Sequence, residues 1–255
     1  MAIRPVKPPS KTSWEPVEKW YHSLVGEEGH YYHRQVILPG IKKLIDNPIS
    51  LLDLACGTGI LSRYLPKEID YLGIDAAPSL IKAAKDASQH PKHQFQIGDI
   101  TKPLNLNRKD FSHAAIILAL QNLEFPEKAF ENAFKHLQKD GKLIMVLNHP
   151  CFRVLRQSAW GIDQAKKIQY RRIDRYYSTM KIPITAHPGK EKSESTLSFH
   201  HPLSYYSRSL FDTGFTIELI EEWCSDKVST GGAAKMENRA RAEIPLFMAI
   251  RAKKL

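Results

Sequence analysis

Leu51-Leu52-Asp53-Leu54-Ala55-Cys56-Gly57-Thr58-Gly59 is the stretch that decides the fold. Ile49 to Leu54 is a short apolar run closed by turn residues, which reads as a strand buried on both faces. Gly57 and Gly59 follow at once, and a helix begins near Gly59 and ends before Pro66. Glycines at such a junction let a ligand approach the backbone where the first N–H groups of a helix lack partners. Strand ends are also where open α/β sheets bind ligands. Alone, a Gly-x-Gly describes a tight turn equally well.

Alternation continues outward from this junction. Strands are expected at Tyr71–Ile74, Phe95–Ile97, Ala114–Leu118 and Lys142–Leu147, the last entered by a tight Asp140-Gly141 turn. Helices are expected at Pro78–Ala87 and Pro126–Leu137. A helix over Leu203–Thr213, then Gly214, and strands over Phe215–Glu221 and Pro245–Arg251 complete the pattern. Strands and helices in this order predict a mostly parallel sheet covered on both faces. Between residues 151 and 203 lies an irregular stretch of about fifty residues, too long for an ordinary connection. The N-terminal part reads as a loose arm over residues 1–13 and a helical pattern from Trp14 to Leu44, broken at Gly26 and Gly29. Four segments are expected: arm and helical lid (1–45), core (46–150), inserted cap (151–203) and the C-terminal part of the core sheet (204–255).

Composition narrows the class. The 255 residues are 42% apolar and 25% charged, which is ordinary for a water-soluble domain. The longest apolar run, Ala114 to Leu120, is far short of a membrane span. The Lys- and Pro-containing start is unlike a signal peptide. Cys56, Cys151 and Cys224 are an odd number at wide spacing, so no disulfide framework is expected and the cytoplasm is the expected compartment. No His, Cys, Asp or Glu cluster has ligand spacing, and no metal is expected. Net charge is +10, and residues 151–203 carry ten Lys or Arg against four acids. A basic segment attracts nucleic acid or an anionic substrate, or is simply solvated surface.

Three carboxylates stand in register with the glycine loop. Asp75 ends the second strand in Gly73-Ile74-Asp75, where it can accept both hydroxyls of a ribose. Asp99 ends the third in Gly98-Asp99-Ile100, where it can meet an exocyclic amine. Asp53 precedes the glycines, placed for a ligand ammonium group. Together, Asp53-x-Ala55-Cys56-Gly57-Thr58-Gly59, Gly73-Ile74-Asp75 and Gly98-Asp99 resemble the first three motifs of class I S-adenosylmethionine-dependent methyltransferases. The resemblance covers roughly Ile49 to Leu147. It implies a Rossmann-like sheet of seven strands in the order 3-2-1-4-5-7-6 with the last strand antiparallel, and S-adenosylmethionine as cofactor with S-adenosylhomocysteine as product. Cofactor-binding positions implied are Asp53, Ala55, Gly57, Thr58 and Gly59 under the methionine part, Asp75 and Ala76 at the ribose, Asp99 and Ile100 at the adenine, and Leu118 after strand four. In related enzymes a preceding helix closes over the cofactor, which makes Tyr21, Tyr32 and Arg34 candidates. A nicotinamide dehydrogenase fits less well, because the third position of its glycine fingerprint, counted from Gly57, is Ser62.

The acceptor is less legible. The amine-methylating Asn/Asp-Pro-Pro-aromatic motif is absent from Leu118-Ala119-Leu120-Gln121-Asn122. His149-Pro150-Cys151-Phe152, with the later stretch from Ser204 to Phe215, is similar to a bacterial group of small-molecule and quinone-biosynthesis methyltransferases. His149, after strand five, is the candidate general base; a histidine bonded to backbone at a turn is the other reading. Asn122, Arg153, Trp160 and Tyr170 are the candidate substrate contacts, with the cap as an aromatic cover that excludes water. RNA stacking on Arg-interleaved aromatics, a protein acceptor, and a catalytically silent cofactor-binding protein stay as alternatives to a small-molecule acceptor. The oligomeric state is not legible.

Overall fold

A computed structural model describes residues 29–88, 90–185 and 195–255. A seven-stranded sheet organises the chain. Its strands are β1 (Ser50–Leu54), β2 (Asp70–Asp75), β3 (His93–Ile97), β4 (Phe111–Ile117), β5 (Leu137–Asn148), β10 (Phe215–Trp223) and β11 (Phe247–Lys254). The spatial order is β10-β11-β5-β4-β1-β2-β3. Counting only the strands of this sheet, that is 3-2-1-4-5-7-6 from one edge to the other, as expected. β1 to β5 run parallel to one another, while β11 lies antiparallel to both β5 and β10.

Period-two alternation divides the sheet residues between two apolar layers. On one face Leu52, Leu54, Ile116, Met145 and Ile250 pack with Phe130 of α4 (Glu127–His136) and with Tyr206 and Leu210 of α5 (Leu203–Thr213). On the other, Leu51, Ala115, Ile144 and Ala249 pack with α1 (Leu38–Leu44), α2 (Ile60–Tyr64) and α3 (Pro78–Ala87). Proline opens α3 at its first turn, where its missing N–H costs nothing. α1 continues a π-helical turn, His33–Ile37, and Gly40 of α1 lies under the Trp223 ring, which a Cβ there would overlap.

Two segments differ from expectation. The stretch after β5 is not irregular: it holds two antiparallel hairpins, β6 (Ser158–Asp163) with β7 (Ile168–Ile173), and β8 (Met180–Thr185) with β9 (Ser195–His200). A further helix, α6 (Ala234–Glu243), packs against β7. Only Ala240 of α6 is buried, so it lacks the apolar stripe by which a helix is recognised. Its start is fixed by polar contacts instead: Ser229 N–H donates to Asn238 Oδ1 at 2.7 Å, and the Asn238 amide returns a bond to the Ser229 carbonyl at 3.1 Å.

The second hairpin closes on the end of β4. Ser198 Oγ donates to the Gln121 carbonyl at 3.1 Å, and Lys181 pairs with Glu124 at 3.4 Å. Tyr176 anchors its base, accepting from His200 through its carbonyl (2.6 Å) and from Leu203 N–H through its hydroxyl (3.0 Å). Among the described residues no helix is long and apolar enough to cross a membrane, and no group of three His, Cys, Asp or Glu could hold a metal.

Candidate cofactor and acceptor cavity

The chain leaves β1 at Ala55 with φ +65°, passes Gly57 at +55°, and enters α2 through Gly59 at +72°. Leu118, at the end of β4, is also left-handed at +52°. An alanine or leucine in this region costs about 1–2 kcal/mol. Both strained residues line the same cavity, so the strain is concentrated where β1 and β4 end. That cavity has a volume of about 770 Å³, toward the upper end of the range of roughly 300–1,000 Å³ for small-molecule sites.

The structure brings most of the motif residues together there. Ala55, Gly57, Asp75, Ala76, Asp99 and Ile100 line it, with Leu118 and Asn122. Asp75 ties the loop to the second strand: Oδ2 accepts the Gly57 N–H and Oδ1 the Ala77 N–H, both at 2.9 Å. Burial pushes the Asp99 carboxyl up, but the Thr101 hydroxyl (2.6 Å) and N–H (3.0 Å), with Lys102 at 3.3 Å, outweigh it and hold the group below the usual carboxylate range.

Other predicted residues stand elsewhere. Thr58 and Gly59 do not line the cavity. A Cβ on Gly59 would lie 2.8 Å from Phe95 Cε1, so that glycine serves helix-to-strand packing. Asp53 lies behind the loop, 1% exposed, accepting the Tyr71 hydroxyl at 2.6 Å. Tyr32 turns to Ser225 (3.0 Å) and the Phe247 ring, and neither it nor Arg34 lines the cavity. Tyr21 lies outside the described residues.

His149 is not at the cavity. It is 2% exposed, its Nδ1 accepts the Cys151 N–H at 3.2 Å, and its Nε2 meets Glu222 Oε1 at 2.5 Å. Both ring nitrogens are engaged in holding a turn, which leaves none for a substrate proton. Trp160 and Tyr170 also stay outside. Alternation along β7 turns Tyr170 and Arg172 to solvent and Arg171 inward, and Tyr170 lies over Gly161. Trp160 stacks beside Arg171, with the guanidinium 5.2 Å from its ring. Arg153 does line the cavity.

Several cavity residues were not among the sequence candidates. His33, from the π-helical turn, has a buried Nδ1 without a hydrogen-bond partner among the described residues. Burial first, and His30 second, lower its pKa to about 4, so it is neutral. Gln121 lines the cavity with a bonded amide nitrogen (2.6 Å to the Leu118 carbonyl) and an Oε1 that has no partner among the described residues. His200, His201 and Phe199 enter from β9 and the turn after it. A π-helical turn often accompanies a functional site, but His33 carries no spacing signal of its own.

Asp53 makes stability depend on pH. Burial raises its pKa from 3.8 to about 7, against the Tyr71 hydrogen bond and with help from Asp75. Between those values the folded chain holds a proton that the unfolded chain has released. Stability conferred by this group is therefore full below pH 4, falls as pH rises toward 7, and levels off above it. Asp53→Asn keeps an acceptor for Tyr71 and cannot ionise. Urea unfolding at pH 4.5 and pH 8 is expected to show the variant gaining about 2–4 kcal/mol on the wild type between the two. An unchanged difference would mean that Asp53 ionises normally.

Comparison with known proteins agrees with this geometry. Residues 52–145 match the family model described as a methyltransferase domain. A malonyl-[acyl-carrier protein] O-methyltransferase from Halalkalibacterium halodurans is 27% identical over 139 residues, 49% of this chain and 51% of that protein. A demethylmenaquinone methyltransferase from Leptospira interrogans is 25% identical over 122 residues, 45% of this chain and 49% of its own. The matches span about half the length of these relatives. An S-adenosylmethionine-dependent methyltransferase from Mesorhizobium loti shares the fold, with a TM-score of 0.67 at 22% identity, over 85% of this chain and 96% of that one. Residues 52–145 thus resemble a methyltransferase domain, and the chain shares the fold of S-adenosylmethionine-dependent methyltransferases.

Proposed function

We propose that this protein transfers a methyl group from S-adenosylmethionine to a small-molecule acceptor held under the cap. The observation that carries the reading is that motif residues from four different strand ends, Gly57, Asp75, Asp99 and Leu118, converge on one cavity that extends beneath β8 and β9. These residues fit the cofactor: a carboxylate at Asp75 for ribose hydroxyls, another at Asp99 for an amine, and Ala76 and Ile100 as small and apolar neighbours for a flat base. The cofactor supplies an activated sulfonium methyl group. The protein's part is to orient two reactants for in-line displacement, worth roughly 7–11 kcal/mol in favourable cases, and to exclude water. The named relatives act on a carrier-bound malonyl group and on a quinone precursor, which supports a small acceptor. With His149 engaged elsewhere, a base, where one is needed, comes from His33, His200 or His201.

Calorimetric titration with S-adenosylmethionine, S-adenosylhomocysteine and NAD tests the cofactor. Micromolar binding of the first two and none of NAD is expected. Binding of NAD alone would replace this reading with the dehydrogenase.

A further inference from the structure

Three arginines line the cavity beyond the ends of β4 and β5: Arg156 is exposed, whereas Arg153 and Arg171 are half-buried. Arg153 follows β5, its guanidinium 5.2 Å from the Phe247 ring and its Nη1 3.4 Å from the Leu246 carbonyl. Arg171 comes in from β7, its Nε 2.8 Å from the Phe152 carbonyl and its Nη2 2.7 Å from Ser158 Oγ. These neutral partners fix the direction of each fork and leave its charge uncompensated. Among the described residues neither forms an ion pair with a carboxylate, unlike Arg172 on the same strand as Arg171, which pairs with Asp174. Burial, and for Arg153 also the charge of Arg171, lowers the pKa of both. Two partly desolvated like charges facing one cavity are costly unless an anion joins them. A guanidinium fork matches the paired oxygens of carboxylate or phosphate. Nearby, the lining is apolar: Val154, Ile182, Ile184 and Phe199.

We propose that Arg153 and Arg171 bind the anionic group, a carboxylate or phosphate ester, of the methyl acceptor, and that its apolar body lies against Val154, Ile182 and Phe199. This rests on the methyltransferase reading, because it takes the strand ends around Asp75 and Asp99 to be filled by the cofactor. The inward charge of the cap is then a recognition element for an amphiphilic acid.

The test titrates protein saturated with S-adenosylhomocysteine with octanoate, octyl phosphate, octanol and octylamine, four ligands with one apolar body. At least one anion is expected to bind tenfold or more tightly than octanol, and octylamine more weakly than octanol. Which anion is preferred separates carboxylate from phosphate. Arg153→Gln combined with Arg171→Gln should remove the preference and leave S-adenosylhomocysteine affinity within about twofold. A tenfold loss of S-adenosylhomocysteine affinity would overturn the proposal by assigning the arginines to the cofactor's own carboxylate. So would a wild type that binds octanol as tightly as both anions, and that comparison decides alone if the double variant does not fold. A wild type that binds no S-adenosylhomocysteine overturns the methyltransferase reading itself, a result distinct from cofactor binding without anion preference.

Discussion

Asp75→Ala is expected to weaken S-adenosylhomocysteine binding by about 100-fold in calorimetric titration. Hydrogen bonds to a charged group contribute roughly 1.5–3 kcal/mol each, and about 1.4 kcal/mol is a factor of ten. On the proposed reading the substitution removes the acceptor for the ribose hydroxyls. It also releases the Gly57 and Ala77 N–H groups that the carboxylate holds at 2.9 Å, so the glycine loop loses its tether. Asp75→Asn, which keeps one acceptor oxygen, should fall between, near tenfold. Affinity within twofold of wild type for the alanine variant would remove Asp75 from the ribose and with it the alignment of β2.

Gly59→Ala is expected to destabilise the fold by about 2–5 kcal/mol in urea unfolding. Two costs add: the left-handed backbone at φ +72°, about 1–2 kcal/mol for a residue with a Cβ, and crowding of Phe95 Cε1 at 2.8 Å and Ala84 Cβ at 3.2 Å, about 1–3 kcal/mol for overpacking. Gly231 separates the two. Its φ is +90° and a Cβ there meets nothing within 4 Å, so Gly231→Ala should cost only the backbone part. Equal losses at the two positions would mean that Phe95 moves aside freely and that Gly59 is kept for its φ alone.

The sheet was legible in the sequence because its strands are buried on both faces and read as apolar runs, as in β1, where all five residues are buried. α3 and α5 were legible to the residue through Pro78 at one start and Gly214 at the other end. The cap hairpins were not. β6 and β7 have no fully buried side, so Ile168-Gln169-Tyr170-Arg171-Arg172-Ile173 shows no apolar alternation and its strand character comes only from pairing. The same absence hid which face of β7 turns inward, and so Tyr170 and Trp160 were chosen where Arg171 is the residue at the cavity. Asp75, Asp99 and Gly57, picked out by motif spacing, do line the cavity. Asp53 and Gly59, equally conspicuous in the sequence, turn out to be buried structural partners of Tyr71 and Phe95, and that distinction depends on side-chain packing that spacing does not encode. His149 sits at a strand end on the expected edge of the sheet, yet the turn at Cys151 and the carboxylate of Glu222 claim both its nitrogens.

β11 is the last strand of the sheet in chain order, yet it lies inside the sheet, between β5 and β10. During synthesis, β5 is therefore a bare edge for the time needed to make the hundred or so residues that follow it. Its inner residues, Leu143 to Leu147, are all buried in the finished protein. Until Phe247–Lys254 leaves the ribosome, that edge is open to pairing with another nascent chain, the hazard of an unprotected apolar strand. A nascent chain released before β11 is made would present it permanently. For this topology, completeness of translation is a condition for solubility as well as for shape.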